Sequence, residues 1–245
     1  MYTIDDIKVT LLNPEEVKDF IKNHGKVACV CYDTNEKYAE KVGKSCMIEG
    51  HMSGSRGDFF KFEIEAPRFT IDQIVRHEQG VFKNVQSQRY VDMDDNFSIY
   101  VPPKVVKDER LLEQYIQYEE MCKAQYKVNR ACFEDLGITG ETANDLMRTM
   151  LPIGVMSKVR IGFTLEALIH FMHKRLCVRA DFPIRKVAEL MRDEVLAVQP
   201  EYKELLIPQC EALMYCPEKH GCKKYPSRKE LIDIIEKGKE NNKLE

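Results

Sequence analysis

Residues 73–90, QIVRHEQGVFKNVQSQRY, carry the most informative pattern in this 245-residue chain. An apolar helical pattern runs into Arg76 and His77, and a glycine-containing loop then returns a polar cluster at residues 86–89. Guanidinium, hydroxyl and amide donors suit a phosphate or a carboxylate, because guanidinium binds such oxygens through paired hydrogen bonds. On composition alone, a surface helix and a solvated turn explain the same residues.

The segment before this stretch predicts a strand followed by a helix. Residues 58–65 alternate apolar and charged side chains, which indicates a half-buried strand that Pro67 ends. Thr70 and Gln73 then form a capping-box pattern that opens a helix carrying Arg76 and His77. The side chains expected to point inward are Phe60, Phe62 and Ile64 of the strand and Ile71, Ile74 and Val75 of the helix.

The N-terminal part of the chain predicts a short strand between two helices. Asn13, followed by a proline, starts a helix that Gly25 would end. An apolar strand from Lys26 to Cys31 follows, and a second helix at residues 33–42 precedes Gly43.

The second half of the chain is mostly helical. A long pattern at residues 108–136 is closed by Gly137, another ends at Leu151, and three more lie between Thr164 and Leu213. No linker, internal repeat or low-complexity tract interrupts them. We therefore expect an α+β fold with a central mixed or antiparallel sheet and a helical C-terminal half. The expected division is one domain at 1–225 and a charged tail at 226–245, frayed from Lys237.

Composition excludes several classes of protein. The chain is 44% hydrophobic and 31% charged, as in an ordinary globular protein, and a formal net charge of -3 gives no field that would concentrate nucleic acid. No apolar run approaches the roughly 20 residues that span a bilayer, and the polar start lacks the apolar core of a signal peptide. We expect a cytoplasmic protein with no nucleic-acid or membrane partner.

The cysteines predict reduced thiols. Their odd number, nine, argues against a disulfide framework. Six lie among apolar neighbours, as small buried residues do: Cys29, Cys31, Cys46, Cys122, Cys132 and Cys177.

The order of residues in 73–90 resembles the signature of the flavin-dependent thymidylate synthases of the ThyX family. That signature is an Arg-His-Arg triplet followed, after a short gap, by serine, any residue, arginine and tyrosine. Arg76, His77 and the run from Ser87 to Tyr90 fit it, with an eight-residue gap after Glu78. Glu78 departs from it, because the family has arginine there, and Val85 stands where glutamate is common.

Three other blocks resemble the family in the same order. A Gly-His-x-Ser element at 50–53 precedes the strand, and a Leu-Pro block at 151–153 leads to the basic residue that contacts the nucleotide. Lys158 matches that residue, with Arg160 as the substitute if the register slips. The helix around 168–176 resembles the family's flavin-contacting helix, with Arg175 as the matching arginine near its end, although His173 and Lys174 are unusual there. Ala180–Arg185 resembles the block whose arginine bonds the uracil ring.

The resemblance implies a fold, an activity and a set of site residues. The implied fold is ThyX-like, and the implied reaction is methylation of dUMP to dTMP with methylenetetrahydrofolate as one-carbon donor, FAD as hydride carrier and NADPH or NADH as reductant. Arg185 would be catalytic, since its guanidinium would stabilise negative charge on the uracil ring. The residues implied to bind dUMP are Gln73, Arg76, Gln86, Ser87, Gln88, Arg89, Lys158 and Arg185. Those implied to bind FAD are His51, Ser53, Arg76, His77, Glu78, Asn84, His173 and Arg175.

The family also implies a homotetramer whose sites lie between chains, with Gln73 and Arg76 supplied by a neighbouring subunit. Ser87 has no base beside it in the sequence, so we assign it to binding. If Glu78 lies beside the flavin, its charge lowers the flavin reduction potential. In the alternative interpretation, the loop near Lys83 turns Glu78 toward water, where its charge is screened.

Three rival functions stay open at this point. The first is a related flavoenzyme that makes another C5-modified pyrimidine nucleotide, such as a hydroxymethylated one, and the second is a non-catalytic nucleotide-binding homologue. The third is a zinc-binding module built from Cys210, Cys216 and Cys222 with His220. These cysteines lack a close Cys-x-x-Cys pair, so we predict no metal.

Overall fold

The computed structural model describes residues 1–93 and 97–241 and has an α+β fold. Its four-stranded antiparallel sheet has the order β1-β2-β4-β3. The strands are β1 (Lys8–Leu11), β2 (Phe60–Pro67), β3 (Val81–Val85) and β4 (Met156–Phe163). The helices are α1 (Pro14–Cys31), α2 (Ala39–Ile48), α3 (Arg68–Ile74), α4 (Pro103–Val106), α5 (Glu109–Asp135), α6 (Gly140–Met147), α7 (Leu165–Arg175), α8 (Phe182–Val198), α9 (Gln209–Leu213) and α10 (Arg228–Asn241).

The chain forms two compact units, each built from two separate segments. Unit 1 contains Met1–Leu12 and Lys61–Gly162, and unit 2 contains Asn13–Phe60 and Phe163–Glu245. The division into a domain at 1–225 and a tail stays a prediction. Helix α10 lies within the expected tail, and residues 242–245 of that tail fall outside the described residues.

In unit 1, the predicted strand before Pro67 is confirmed. β1 pairs with β2 in an antiparallel register that sets Lys8 opposite Glu65 and Leu11 opposite Phe62. Phe62 and Ile64 are fully buried, whereas the charged residues that alternate with them, Lys61, Glu63 and Glu65, are half-buried. This alternation is the reason that the segment forms a strand with one face in the core.

Helix α3 differs from its prediction at both ends. It begins at Arg68, directly after Pro67, so Thr70 lies inside the helix, fully buried, and does not cap it. The capping-box assignment is therefore wrong, although Ile71 and Ile74 are buried as predicted. The helix ends at Ile74, which puts Arg76 and His77 in the turn after it.

The long helix α5 confirms the pattern at 108–136. The carboxylate of Asp108 accepts a hydrogen bond from the N–H of Leu111 at 3.1 Å, which caps the first turn. Gly137 follows the helix with a φ of 73°, the left-handed conformation that glycine adopts readily. A hydrophobic cluster of this unit joins Tyr126 of the helix to Phe97, Ile99, Met147 and Val155.

In unit 2, the predicted strand at Lys26–Cys31 is wrong, because α1 continues through Gly25 to Cys31. Gly25 does not end the helix but lets α2 approach it: a Cβ at Gly25 would lie 1.6 Å from the carbonyl oxygen of Ala39. Gly43 plays the same part, since its Cβ would lie 2.0 Å from the carbonyl oxygen of Ile21. The second helix consequently starts at Ala39 and runs past Gly43, later than predicted.

The helices after Thr164 are confirmed, with α7, α8 and α9 in the predicted order. An aromatic cluster supports this unit: the ring of Phe60 lies 5.1 Å from that of Phe20 and 5.3 Å from that of Tyr202, both edge to face. Within the described residues, no helix is long and apolar enough to cross a membrane.

All nine cysteines are free thiols, but their burial departs from the prediction. Cys29 and Cys46 are buried as expected, whereas Cys31 and Cys132 are exposed. Their apolar neighbours in sequence point in other directions, because consecutive helical residues lie on different faces.

Candidate active site

The polar cluster at residues 86–89 forms a tight turn after β3. The hydroxyl of Ser87 accepts a hydrogen bond from the N–H of Arg89 at 3.3 Å, and the carbonyl of Ser87 accepts one from Tyr90 at 3.3 Å. A hydroxyl that accepts still has its proton to donate to a ligand. Arg89 is exposed and its guanidinium lies 5.6 Å from the centre of the Tyr90 ring, within cation–π range. The turn therefore presents a hydroxyl and a cation to an anionic ligand.

Gln86 and Lys158, far apart in sequence, are brought together by pairing of β3 with β4. The N–H of Gln86 donates to the carbonyl of Lys158 at 2.8 Å, and both residues line a cavity of about 100 Å³. The ammonium of Lys158 lies 3.6 Å from the carboxylate of Glu65, which lines the same cavity. In the described part of the chain Arg160 does not line it and instead pairs with Glu63 at 2.7 Å. The geometry favours Lys158 over Arg160 as the basic residue of the site.

The turn containing Arg76, His77 and Glu78 is held by a lysine that the sequence did not single out. The ammonium of Lys83 donates to the backbone carbonyl of Val75 and, at 3.5 Å, to that of His77. These carbonyls stand at the end of α3, where the helix leaves acceptors unsatisfied. Lys83 also lies 3.8 Å from the carboxylate of Glu78, whose side chain is 81% exposed.

In unit 2, a buried histidine supports the loop that carries His51 and Ser53. His24 is 1% exposed, and its Nε2 donates to the carbonyl oxygen of His51 at 2.7 Å. Burial lowers the pKa of His24, so the imidazole is held in its neutral form. A Cβ at Gly54 would lie 2.5 Å from the His24 ring, so glycine is required there. Both His51 and Ser53 are exposed.

His173 and Arg175 lie in the last turn of α7, where the helix dipole favours cations. Burial, with smaller electrostatic contributions from His170 and Lys174, lowers the pKa of His173. A neutral His173 can accept a hydrogen bond as well as donate one. Arg175 is half-buried beside it.

Arg185 is held in the first turn of α8 by three contacts. Its Nη1 donates to the carbonyl of Val178 at 3.3 Å, its Nε lies 3.6 Å from Glu189, and its guanidinium lies 4.9 Å from the Phe182 ring centre. These contacts fix the orientation of a guanidinium that is charged at any physiological pH.

The predicted site residues thus divide between the two units. Unit 1 holds the turn after β3, the Gln86–Lys158 cavity and the turn after α3, whereas unit 2 holds the His51 loop, the end of α7 and the start of α8. Sequence patterns found neither Lys83 nor His24, because both act on backbone carbonyls. A lysine that follows a helix closely is the one available signal for Lys83.

Comparison with known proteins adds independent information. Residues 16–201 match the family model described as thymidylate synthase complementing protein. The flavin-dependent thymidylate synthase of Nitratidesulfovibrio vulgaris is 35% identical over 190 residues, covering 76% of this chain and 77% of that protein. The enzyme of Pyrococcus abyssi is 34% identical over 202 residues, covering 77% of this chain and 78% of that protein. The enzyme of Clostridium tetani is 28% identical over 235 residues, covering 86% of this chain and 91% of that protein.

Among solved structures, the chain is similar to a UMP/dUMP methylase, PolB from Streptomyces cacaoi, bound with 5-Br dUMP. The TM-score is 0.60 with 20% sequence identity, covering 84% of this chain and 96% of that one. Similarity at this identity establishes a shared fold.

Proposed function

Because this chain belongs to the flavin-dependent thymidylate synthase family, we propose that it methylates dUMP to dTMP. The one-carbon unit comes from methylenetetrahydrofolate, and the reducing equivalents come from NADPH or NADH through FAD. The observation that carries the proposal is the grouping of polar and cationic side chains at the end of β3, in the Ser87–Arg89 turn and the Gln86–Lys158 cavity. We place the enzyme in the cytoplasm as a homotetramer without nucleic-acid or membrane partners.

The nucleotide phosphate binds at the turn after β3. Arg89 supplies the charge, and Ser87 and Gln88 supply further donors. Lys158 is 52% exposed and lies close to Gln86, so it is available to the nucleotide. Binding the nucleotide would break its surface ion pair with Glu65, which contributes at most about 1 kcal/mol. Gln73 and Arg76 assist from a neighbouring subunit.

Arg185 is the catalytic residue. When C5 of uracil becomes nucleophilic, negative charge develops on the ring carbonyls, and a fixed guanidinium stabilises that charge without having to reorient. Its contacts with Val178 and Glu189 supply this preorganisation. A cysteine nucleophile is not required in this scheme.

The donors available for the flavin fit its chemistry. Arg76 and Arg175 suit its phosphates, and the neutral imidazole of His173 can exchange hydrogen bonds with a ring that both donates and accepts. Further donors for the flavin are His51 and Ser53 of unit 2 and His77 and Asn84 of unit 1, and Glu78 follows His77 in the turn after α3. When bound, FAD supplies the two-electron reduction that turns the transferred carbon into a methyl group.

The test is product formation by the purified full-length chain. We expect dTMP only when dUMP, methylenetetrahydrofolate, FAD and a nicotinamide are all present, with comparison of NADPH and NADH identifying the reductant. Arg185→Gln should lower kcat/KM roughly a hundredfold. Arg192→Gln, in the same helix, is the matched control and should leave the rate unchanged.

Absence of dTMP, or dTMP formation without flavin, would contradict the proposal. Mass spectrometry of the nucleotide product also tests a second candidate function, because Glu78 stands where the family has arginine. A hydroxymethylated nucleotide as the main product would favour that related enzyme instead.

A further inference from the structure

Four of the nine cysteines line one cavity of about 100 Å³ in unit 2. They are Cys177, Cys210, Cys216 and Cys222. Burial raises the pKa of the Cys210 thiol, and the nearby thiols of the other three raise it further, so all four are close enough to interact electrostatically. The five remaining cysteines, all within the described residues, do not line this cavity.

The four thiols come from three different places in the chain. Cys177 lies just after α7, Cys210 lies in α9, and Cys216 and Cys222 lie in the segment 214–227 that joins α9 to α10. Since the first and the last are far apart in sequence, the fold itself brings them to one cavity.

The segment 214–227 has little else to hold it in place. It contains no helix or strand, only an isolated bridge between Cys216 and Ser227, and none of its residues is buried. Its ties are polar: Arg179 donates to the carbonyl of His220, and Lys224 lies 3.8 Å from Glu211. A structural metal ion is one cross-link that stabilises a part of a protein without a core of its own.

The surroundings of the thiols match the charge of a metal site. Lys174, Arg179 and Lys224 line the same cavity. A zinc ion with four thiolate ligands carries a formal charge of about -2, which neighbouring cations stabilise. Glu218 also lines this cavity and Glu211 pairs with Lys224, so the negative charge of the thiolates would add to that of these two carboxylates.

We propose that Zn²⁺ binds here through Cys177, Cys210, Cys216 and Cys222 and fastens the segment 214–227 to the end of α7. Four sulfur ligands in tetrahedral geometry are the preference of zinc. The sequence suggested His220 as the fourth ligand beside Cys210, Cys216 and Cys222. In the described chain Cys177 lines this cavity and His220 does not, so we assign Cys177 as the fourth ligand.

Binding requires the thiols to turn inward. Within residues 1–93 and 97–241, no three His, Cys, Asp or Glu side chains already stand where they could hold a metal ion. Zinc–sulfur bonds are about 2.3 Å long, so the four sulfurs must converge on the cavity centre when zinc binds. Gly221 leaves room for this at Cys216, because a Cβ there would lie 2.7 Å from the Cys216 sulfur.

The test measures zinc in the full-length protein. Protein purified without chelator from zinc-supplemented cells should contain one zinc ion per chain by mass spectrometry of the metal. Each of Cys177→Ser, Cys210→Ser, Cys216→Ser and Cys222→Ser should lower zinc affinity at least tenfold in competition with a chelator. Cys31→Ser and Cys132→Ser, which remove exposed thiols elsewhere, are the matched controls and should keep their zinc.

A second measurement uses only the wild-type chain, so it stands even if a variant fails to fold. Cobalt exchanged for zinc should show thiolate-to-metal charge-transfer absorption, and zinc should protect Lys219 and Lys223 from trypsin. The proposal would be overturned if the protein lacked stoichiometric zinc or held iron instead. It would also be overturned by unchanged zinc affinity in the four serine variants, by a cobalt spectrum without thiolate absorption, or by a disulfide among the four cysteines. Flavin content, measured in the same samples, reports on the thymidylate synthase site separately.

Discussion

Arg89 is the side chain on which recognition of the nucleotide phosphate rests. It is exposed at the end of the turn after β3, with its backbone N–H bonded to Ser87 and its guanidinium beside Tyr90. The turn therefore positions Arg89 through its backbone and leaves the guanidinium exposed. Glu78, on the turn before β3, is also exposed but has the opposite charge.

Arg89→Ala should weaken dUMP binding far more than deoxyuridine binding, because only dUMP carries the phosphate. Loss of a charge-assisted hydrogen bond costs roughly 1.5–3 kcal/mol, or about ten- to 150-fold in Kd. Calorimetric titration with both ligands measures the difference. Arg160→Ala should leave both affinities unchanged, and equal losses for the two ligands in Arg89→Ala would show that Arg89 does not contact the phosphate.

Glu78→Arg should raise the flavin reduction potential and tighten FAD binding, because it replaces an anion near the flavin with a cation. The change is moderated by Lys83, which lies 3.8 Å from Glu78 and already offsets part of its charge. Redox titration of both proteins measures the shift, with Glu141→Arg on α6 as a control charge reversal. If potential and FAD affinity both stay constant, Glu78 faces water in the assembled enzyme and its charge is screened.

Residue types in a distinctive order predicted part of the candidate site. Arg89 and Lys158 could be singled out because each stands in a recognisable block, and the structure puts Lys158 beside Gln86 as a shared site requires. His24 could not be found in this way. Its role depends on a carbonyl 27 residues away, and nothing in the local sequence encodes that contact.

At the scale of elements, contact between α1 and α2 depends on two glycines. A Cβ at Gly25 would lie 1.6 Å from a carbonyl oxygen, far inside van der Waals contact, and Gly43 is as tightly placed. The two helix backbones therefore touch directly. Glycine was interpreted from sequence as a helix stop, because a stop and a close backbone contact require the same residue.

Gly25→Ala should destabilise the protein by roughly 3 kcal/mol, since the added methyl forces the two helices apart. The contacting atoms are backbone, so they cannot rotate away. Denaturant unfolding followed by circular dichroism measures the change. Gly57→Ala is the control, because nothing lies within 4 Å of its Cβ; a Gly25 variant as stable as wild type would refute direct contact of the helices.

Strands β3 and β4 were not predicted from the sequence, for different reasons. In β4, Val159, Ile161 and Phe163 are buried while Lys158 and Arg160 are exposed, which is a period-two signal that could have been recognised. In β3, half-buried and exposed residues alternate, but Lys83 is on the half-buried side and Phe82 on the exposed side, so hydrophobicity does not follow the alternation. The end of β3 is defined by a contact far away in sequence, the hydrogen bond from the N–H of Gln86 to the carbonyl of Lys158 in β4.

At the scale of the whole molecule, the α+β class and the order of helices in the second half were predictable from hydrophobic periodicity. The division into two interleaved units was not, because each unit joins segments far apart in sequence. Helix α5 also exposes large apolar side chains, including Leu111, Met121 and Val128, which helical spacing places on one side of the helix. Exposed apolar surface of this kind commonly marks a protein–protein interface.

We therefore expect the protein to sediment as a homotetramer. The family resemblance implies a site that draws residues from several subunits, and this chain carries the same sequence blocks. Analytical ultracentrifugation with parallel activity measurements tests this. A catalytically active monomer would exclude shared sites, whereas a tetramer that loses activity on dilution to monomers would support them.

The absorption spectrum of the purified protein tests the central claim most directly. A flavin-dependent synthase that binds FAD and dUMP in one site should show bound-flavin absorption, and adding dUMP should shift that band with saturation. Deoxyuridine should require a much higher concentration for the same shift, since it lacks the phosphate. A protein that binds no flavin when FAD is supplied, or whose flavin spectrum does not respond to dUMP, would contradict the account.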